Sequence, residues 1–312
     1  MNAIFQGLAG IFEIVLIVAV GYFFGKKGWF WKDADRDLTK FTMTIGLPPF
    51  MIYSMCSRFD RDALISMAPD LVLPFLSIFV AWLAGYVLAK ILHIRRSRMG
   101  VFVTTCCIAN AIFIGLPVNM ALFGEESVPA VMLYYVANTT MFWTLGAFLI
   151  IKDAGASQSF TPKEMASKFA SPPLMGFVLS LILIMLGISI PKPVMDACRY
   201  VGGIATPTAL IVIGLQVSHM PFSSFRWDRE LLGACLGRFI LAPLCLMALL
   251  PFIPVTPLSA DVFFMQAGMP AMSNMTLLAK SVGADSEYAT EINCVTIVMG
   301  VFFIPLYMYL IG

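Results

Sequence analysis

The sequence predicts an all-α integral membrane protein of ten transmembrane helices in two inverted five-helix repeats, with the fourth and ninth helices broken. Three observations predict it. Of the 312 residues, 60% are apolar and 12% charged, and the mean hydropathy is +0.88, whereas soluble domains sit near about 45–50% apolar and about 25% charged. Apolar runs of bilayer-spanning length, about 20 residues each, alternate with charged clusters. Short proline motifs recur at separations close to half the chain length. Charged side chains are costly at a bilayer centre, so this composition excludes a disordered chain, a nucleic-acid binder and an ordinary cytosolic enzyme.

The runs fall at 6–25, 39–57, 68–91, 99–123, 128–151, 171–190, 196–216, 231–252, 260–280 and 288–311. The opening MNAIFQGLAG carries no basic stretch ahead of the first run, so no cleaved signal peptide is expected. The run at 39–57 is the weakest by hydropathy because Pro48 and Pro49 interrupt it. Membrane helices tolerate proline where neighbours satisfy the freed backbone groups. Of the 20 Lys and Arg residues, 15 follow odd-numbered runs, four (Arg58, Arg61, Lys192, Arg199) follow even-numbered ones, and Arg238 lies inside the eighth. The positive-inside rule then puts the odd-to-even loops in the cytoplasm and both termini outside. The expected setting is the plasma membrane, for a bacterium the inner membrane. The seven cysteines form no CxxC pair and read as small buried hydrophobes.

Gly115-Leu116-Pro117 in the fourth run matches Gly268-Met269-Pro270 in the ninth at an offset of 153, and Pro48 matches Pro207 at 159. Five helices per half is an odd number, so the second half enters the membrane from the opposite side, as in the inverted repeats of secondary transporters. The expected division is 1–155 for the first repeat, 156–170 for a cytoplasmic linker and 171–312 for the second repeat.

Proline removes a backbone donor and restricts its predecessor, so the fourth and ninth helices are expected to break just before Pro117 and Pro270. Each break exposes the N-terminus of a second half-helix, whose free N–H groups and positive dipole end attract an anion. The alternative is an ordinary proline kink. Asn110, Asn119, Asn138, Gln266 and Asn274, with Gly115 and Gly268 beside the prolines, supply neutral groups that hold a carboxylate without burying another charge. Interhelical hydrogen bonding, about 0.6 kcal/mol per bond, is the alternative role for each amide. Arg238 is a functional candidate because it is a cation deep in a span. Its expected partner is a substrate carboxylate or Glu291, against an alternative of snorkelling to the interface. Glu13 is the one acid well inside a span and, with Glu291, a candidate for coupling. His93 and His219 fall at cytoplasmic ends of spans. No metal site or cofactor is expected, and the coupling ion is left as H+ or Na+. Walker A, GxSxG and HExxH motifs are absent from the sequence.

The stretches GYFFGKKGW, ANAIFIGLPVNMALFGEESVP, NTTMFWTLG and QAGMPAMSNMTLLAKSVGADSEYA resemble the prokaryotic branch of the auxin efflux carrier family, several bacterial members of which are labelled malonate or malate permeases. The resemblance covers essentially all ten runs. It implies that the fourth and ninth helices cross at their broken centres beside the substrate, with Asn110, Pro117, Gln266, Pro270 and Asn274 at the crossover. It further implies a scaffold of the first, second, sixth and seventh spans and a moving transport domain made of the other six. The chain lacks the long central loop of the plant carriers, which sets auxin itself aside. The expected activity is elevator-like secondary transport of a small organic anion, a mono- or dicarboxylate such as malonate. Two alternatives are a sodium-coupled organic-anion symporter of the bile-acid carrier type and a membrane receptor. No enzyme activity and no nucleic-acid partner is expected. The partners are the anion and the lipid bilayer, with a homodimer as one option.

Overall fold

The computed structural model describes residues 2–155, 171–219 and 227–311, and of residues 2–11 and 13 it describes the backbone alone. Glu13 therefore sits in a helix whose side chain at that point lies outside the description, and the expected linker at 156–170 lies outside it entirely. Apart from one isolated β-bridge, the named elements are helical.

The first run is α1 (Asn2–Lys26), and the second is α2 (Ala34–Phe41) and α3 (Leu47–Arg58). The third is α4 (Arg61–Met67) and α5 (Val72–Ile91), the fourth α6 (Met99–Cys107) and α7 (Leu116–Phe123), and the fifth α8 (Val128–Met141) and α9 (Ala147–Asp153). The later runs are α10 (Pro172–Met185), then α11 (Lys192–Gly202) with α12 (Ala205–His219), and α13 (Arg229–Leu236) with α14 (Ala242–Leu249). They continue as α15 (Pro257–Ala267) with α16 (Asn274–Val282), and end in α17 (Ser286–Ile311). Among the described residues, five stretches are long and apolar enough to cross a membrane: Arg61–Ile91, Glu125–Asp153, Lys192–His219, Arg229–Leu249 and Ser286–Ile311. Ile14–Lys26, Ala111–Phe123 and Pro172–Met185 are shorter apolar helices.

Local chemistry sets where these helices start and stop. Asp60, Asp228 and Thr256 cap α4, α13 and α15 by accepting backbone N–H groups of the first turn, each cap being worth about 1 kcal/mol. Three prolines leave a common mark. Pro48, Pro117 and Pro243 each stand second in an α-helix that follows a π-turn, at Thr42–Gly46, Ala111–Gly115 and Gly237–Leu241. A proline ring collides with the carbonyl four residues before it, and that carbonyl belongs to residue 44, 113 or 239, in the middle of the π-turn. The wider turn moves the carbonyl aside and leaves the helix unbroken.

By contacts the chain forms two units, and their boundaries do not follow the halves of the sequence. Unit 1 holds Met1–Pro69, Leu116–Met132 and Ala170–Met220; unit 2 holds Asp70–Gly115, Leu133–Phe169 and Pro221–Gly312. The first, second, sixth and seventh runs thus belong to unit 1 and the third, eighth, ninth and tenth to unit 2, while the fourth and fifth are shared.

Within unit 1, α1 lies against α12 in backbone contact, since a Cβ at Gly21 would meet the Ile211 carbonyl and one at Gly214 that of Val18. Small residues allow this approach in membrane helices. Arg58 pairs with Glu125 at 2.8 Å, but both side chains are well exposed, so the pair contributes at most about 1 kcal/mol. Within unit 2, α6 is buried all round, every residue from Gly100 to Cys107 included. A charged cluster closes one end of the unit. Arg95 grips Glu230 through Nε and Nη2 at 3.0 and 2.9 Å. Arg98 reaches Glu230 at 2.7 Å and Asp285 at 2.6 Å and lies over the Tyr288 ring at 4.4 Å. The loop before α6 is thereby tied to the starts of α13 and α17.

Candidate functional site

The breaks in the fourth and ninth runs meet inside unit 2. After Cys107 the chain leaves the helix at Ile108 in an extended conformation (φ −103, ψ 121). Ala109 forms an antiparallel bridge with Ala271, and the Asn110 N–H donates to the Pro270 carbonyl at 2.8 Å. Two short extended pieces from different helices thus satisfy part of each other's backbone. Such groups, buried without water, would otherwise cost several kcal/mol each.

Side chains complete the accounting. Asn138 on α8 is fully buried. Its Oδ1 accepts the Ala109 N–H at 2.9 Å, and its Nδ2 donates to the Ala109 carbonyl at 2.8 Å. On the ninth run, the Ala271 N–H donates to Thr296 Oγ1 on α17 at 3.2 Å. Gln266, buried in the last turn of α15, donates from Nε2 to the Ala111 carbonyl at 3.1 Å. Its Oε1 is buried with no hydrogen-bond partner. Gly115 lies opposite it, and a Cβ there would push the Gln266 amide aside. Gly268, which caps α15, faces the Tyr307 ring in the same way.

Arg238 is completely buried. Its Nη1 donates to the Thr105 carbonyl at 3.4 Å and its Nη2 to the Ala267 carbonyl, while Nε is buried with no partner. Two of its hydrogen bonds thus go to main-chain oxygens at the ends of α6 and α15, and the Tyr134 hydroxyl on α8 is a further partner. Glu291 lies half-buried on α17.

One expectation needs correction. The fourth helix does not break before Pro117; it breaks at Ile108–Asn110, and Pro117 is absorbed by the π-turn at Ala111–Gly115. Pro270 does lie in a break, between Gly268 and Ser273. The matched GxP motifs are therefore not structural equivalents. The first half-helices end at Cys107 and Ala267, 160 apart, and the second ones end at Gly124 and Gly283, 159 apart, both with positive φ (73 and 76). Those offsets agree with the Pro48–Pro207 spacing and not with 153.

Of the expected site residues, unit 2 brings Asn110, Gly115, Asn138, Gln266, Gly268, Pro270, Asn274 and Arg238 into one region around the breaks. Asn274 opens α16 and is exposed, whereas Asn110 is buried. Pro117 and Asn119, both buried on α7, belong to unit 1. Thr296 and the carbonyls of Thr105 and Ala267 are not visible as site groups in the sequence. A threonine in an apolar helix gives no signal of its own, and a main-chain acceptor becomes visible only once the break is located.

The family model described as "Membrane transport protein" matches residues 7–308. The chain is 24% identical over 271 residues to an uncharacterized transporter of Methanocaldococcus jannaschii, covering 85% of each chain. It is 22% identical over 302 residues to an uncharacterized transporter of Methanothermobacter thermautotrophicus, covering 95% of this chain and 96% of that one. It is 21% identical over 248 residues to the uncharacterized transporter YfdV of Escherichia coli, covering 77% of each.

Proposed function

We propose that this chain, which belongs to the membrane transport protein family, the auxin efflux carrier family, is a secondary carrier of a small organic anion. The observation that carries this reading is the pairing of two helix breaks in unit 2, Ala109 with Ala271. Beyond the breaks, helix resumes at Ala111 and at Asn274, so two positive half-helix ends start beside the paired strands. Such ends bind carboxylates in transporters built from broken helices. Asn110 and Asn274 are the amides that would orient the anion. A mono- or dicarboxylate of malonate size fits this donor set.

The division into units supports alternating access. The grouping of the first, second, sixth and seventh runs in unit 1 supports a scaffold, and the third, eighth, ninth and tenth runs of unit 2, joined by its charged cluster, suit the moving body. The repeated helix endings at offsets of 159 and 160 support two inverted repeats. The test is a thermal-shift screen of the purified chain against short mono- and dicarboxylates. Binding is expected for malonate-sized anions and is expected to weaken in Asn110→Ala and Asn274→Ala. Equal shifts in the wild type and both variants, or no shift with any carboxylate, would remove the anion site from these breaks.

A further inference from the structure

We infer that the Arg238 guanidinium is a tethered cation, seated where half-helix carbonyls would otherwise hold a coupling sodium ion, so that transport by this chain is independent of sodium. The inference deepens the carrier reading and rests on it for the word transport.

Two half-helices end on one side chain. α6 stops at Cys107 and α15 at Ala267, and the last four carbonyls of any helix lack intrahelical donors. Thr105 and Ala267 belong to those sets, and both carbonyls accept from Arg238. A helix C-terminus carries roughly half a negative charge. Two such ends together amount to about one elementary charge, the complement of one guanidinium. This balance explains how a cation with no exposed surface is accommodated by main-chain oxygens.

The same oxygens are what an alkali cation would use. In carriers with discontinuous helices, unwound carbonyls and half-helix C-terminal ends coordinate sodium. Among the described residues, no group of three or more His, Cys, Asp and Glu side chains stands ready to hold a metal ion. The eighth run is shaped to deliver the arginine to the main-chain oxygens. Gly237 lets it close onto α6, because a Cβ there would strike the Cys106 sulfur, and the π-turn at Gly237–Leu241, imposed by Pro243, carries Arg238 within it.

The test is the melting temperature of the full chain, with sodium chloride exchanged for choline chloride at constant ionic strength, and with malonate as the anion probe in a parallel series. A cation that binds only the folded state raises stability logarithmically once its concentration exceeds its dissociation constant. For the wild type no sodium-dependent shift is expected, with or without malonate. Arg238→Gln vacates the carbonyls, and its melting temperature is expected to fall by several degrees and then to recover saturably with sodium. A saturable sodium response in the wild type would overturn the inference, as would an Arg238→Gln chain that melts without regard to sodium. Should that variant fail to fold, the wild-type titration alone decides. Failure to bind malonate would count against the carrier reading and leave the sodium titration standing as the test of Arg238.

Discussion

Replacing Asn138 with alanine removes two hydrogen bonds at once and orphans the N–H and C=O of Ala109, a residue with no exposed surface. In water-soluble cores each orphaned group costs about 1–3 kcal/mol. Inside a membrane the disordered reference state also finds partners, and measured interhelical bonds average about 0.6 kcal/mol and reach about 1.7. Two bonds then give about 1–3.5 kcal/mol. The assay is reversible unfolding of the reconstituted chain by denaturant, paired with malonate binding. Both stability and affinity are expected to fall, since Ala109 is bridged to Ala271 and precedes Asn110, the residue before the resumed helix. A variant with wild-type stability and affinity would refute the claim that Asn138 holds the break open.

Further outcomes follow from other parts of unit 2 and from the shared fourth run. Gly115→Ala is expected to displace the Gln266 amide and weaken malonate binding, and the double change with Gln266→Ala should cost less than the sum; strict additivity would deny that the two residues meet. Pro117→Ala lets the π-turn relax to α, which rotates the following helix by about 100°; stability should hold or rise while uptake falls, and wild-type uptake would show that the π-turn is dispensable. Burial works against the charge of Asp285, but the Tyr288 N–H and the Arg98 guanidinium more than offset it, and its pKa lies below the ordinary carboxylate value. Its stabilisation is therefore present above that ordinary value and is lost as pH falls through the lower folded-state one; Asp285→Asn should flatten part of the acid loss of melting temperature, and an unchanged profile would contradict the pairing. For topology, a cysteine placed at Glu125 should react with an impermeant thiol reagent from outside and one at Ser97 should not, the reverse pattern inverting the assigned orientation.

The helical class and the order of the runs were legible because hydropathy and charge spacing are direct consequences of the bilayer as solvent. The positions of the breaks were legible by half. Pro270 sits in one because α15 ends at Gly268, whereas Pro117, in the same three-residue motif, is carried by a π-turn. What distinguishes them lies in other helices: Asn138 and Thr296 supply the hydrogen bonds that pull Ala109 and Ala271 out of helix, and no local pattern announces them. Arg238 stood out as a buried cation. Two of its acceptors are carbonyls that become available only where a helix ends, so those partners could not be read before the break. The offset at which the half-helices end was present in Pro48 and Pro207 and in the turn glycines Gly124 and Gly283. The more conspicuous GxP match obscured it.

If the paired breaks bind an organic anion and carry it across the membrane, the chain supports counterflow. Proteoliposomes loaded with unlabelled malonate are given labelled malonate outside, for the wild type and for Asn110→Ala, with rates normalised to inserted protein. The expected result is rapid, saturable accumulation of label in the wild type and a rate several-fold lower in the variant. Saturable malonate binding by the same preparation without any counterflow would contradict the account, leaving a receptor in place of a carrier.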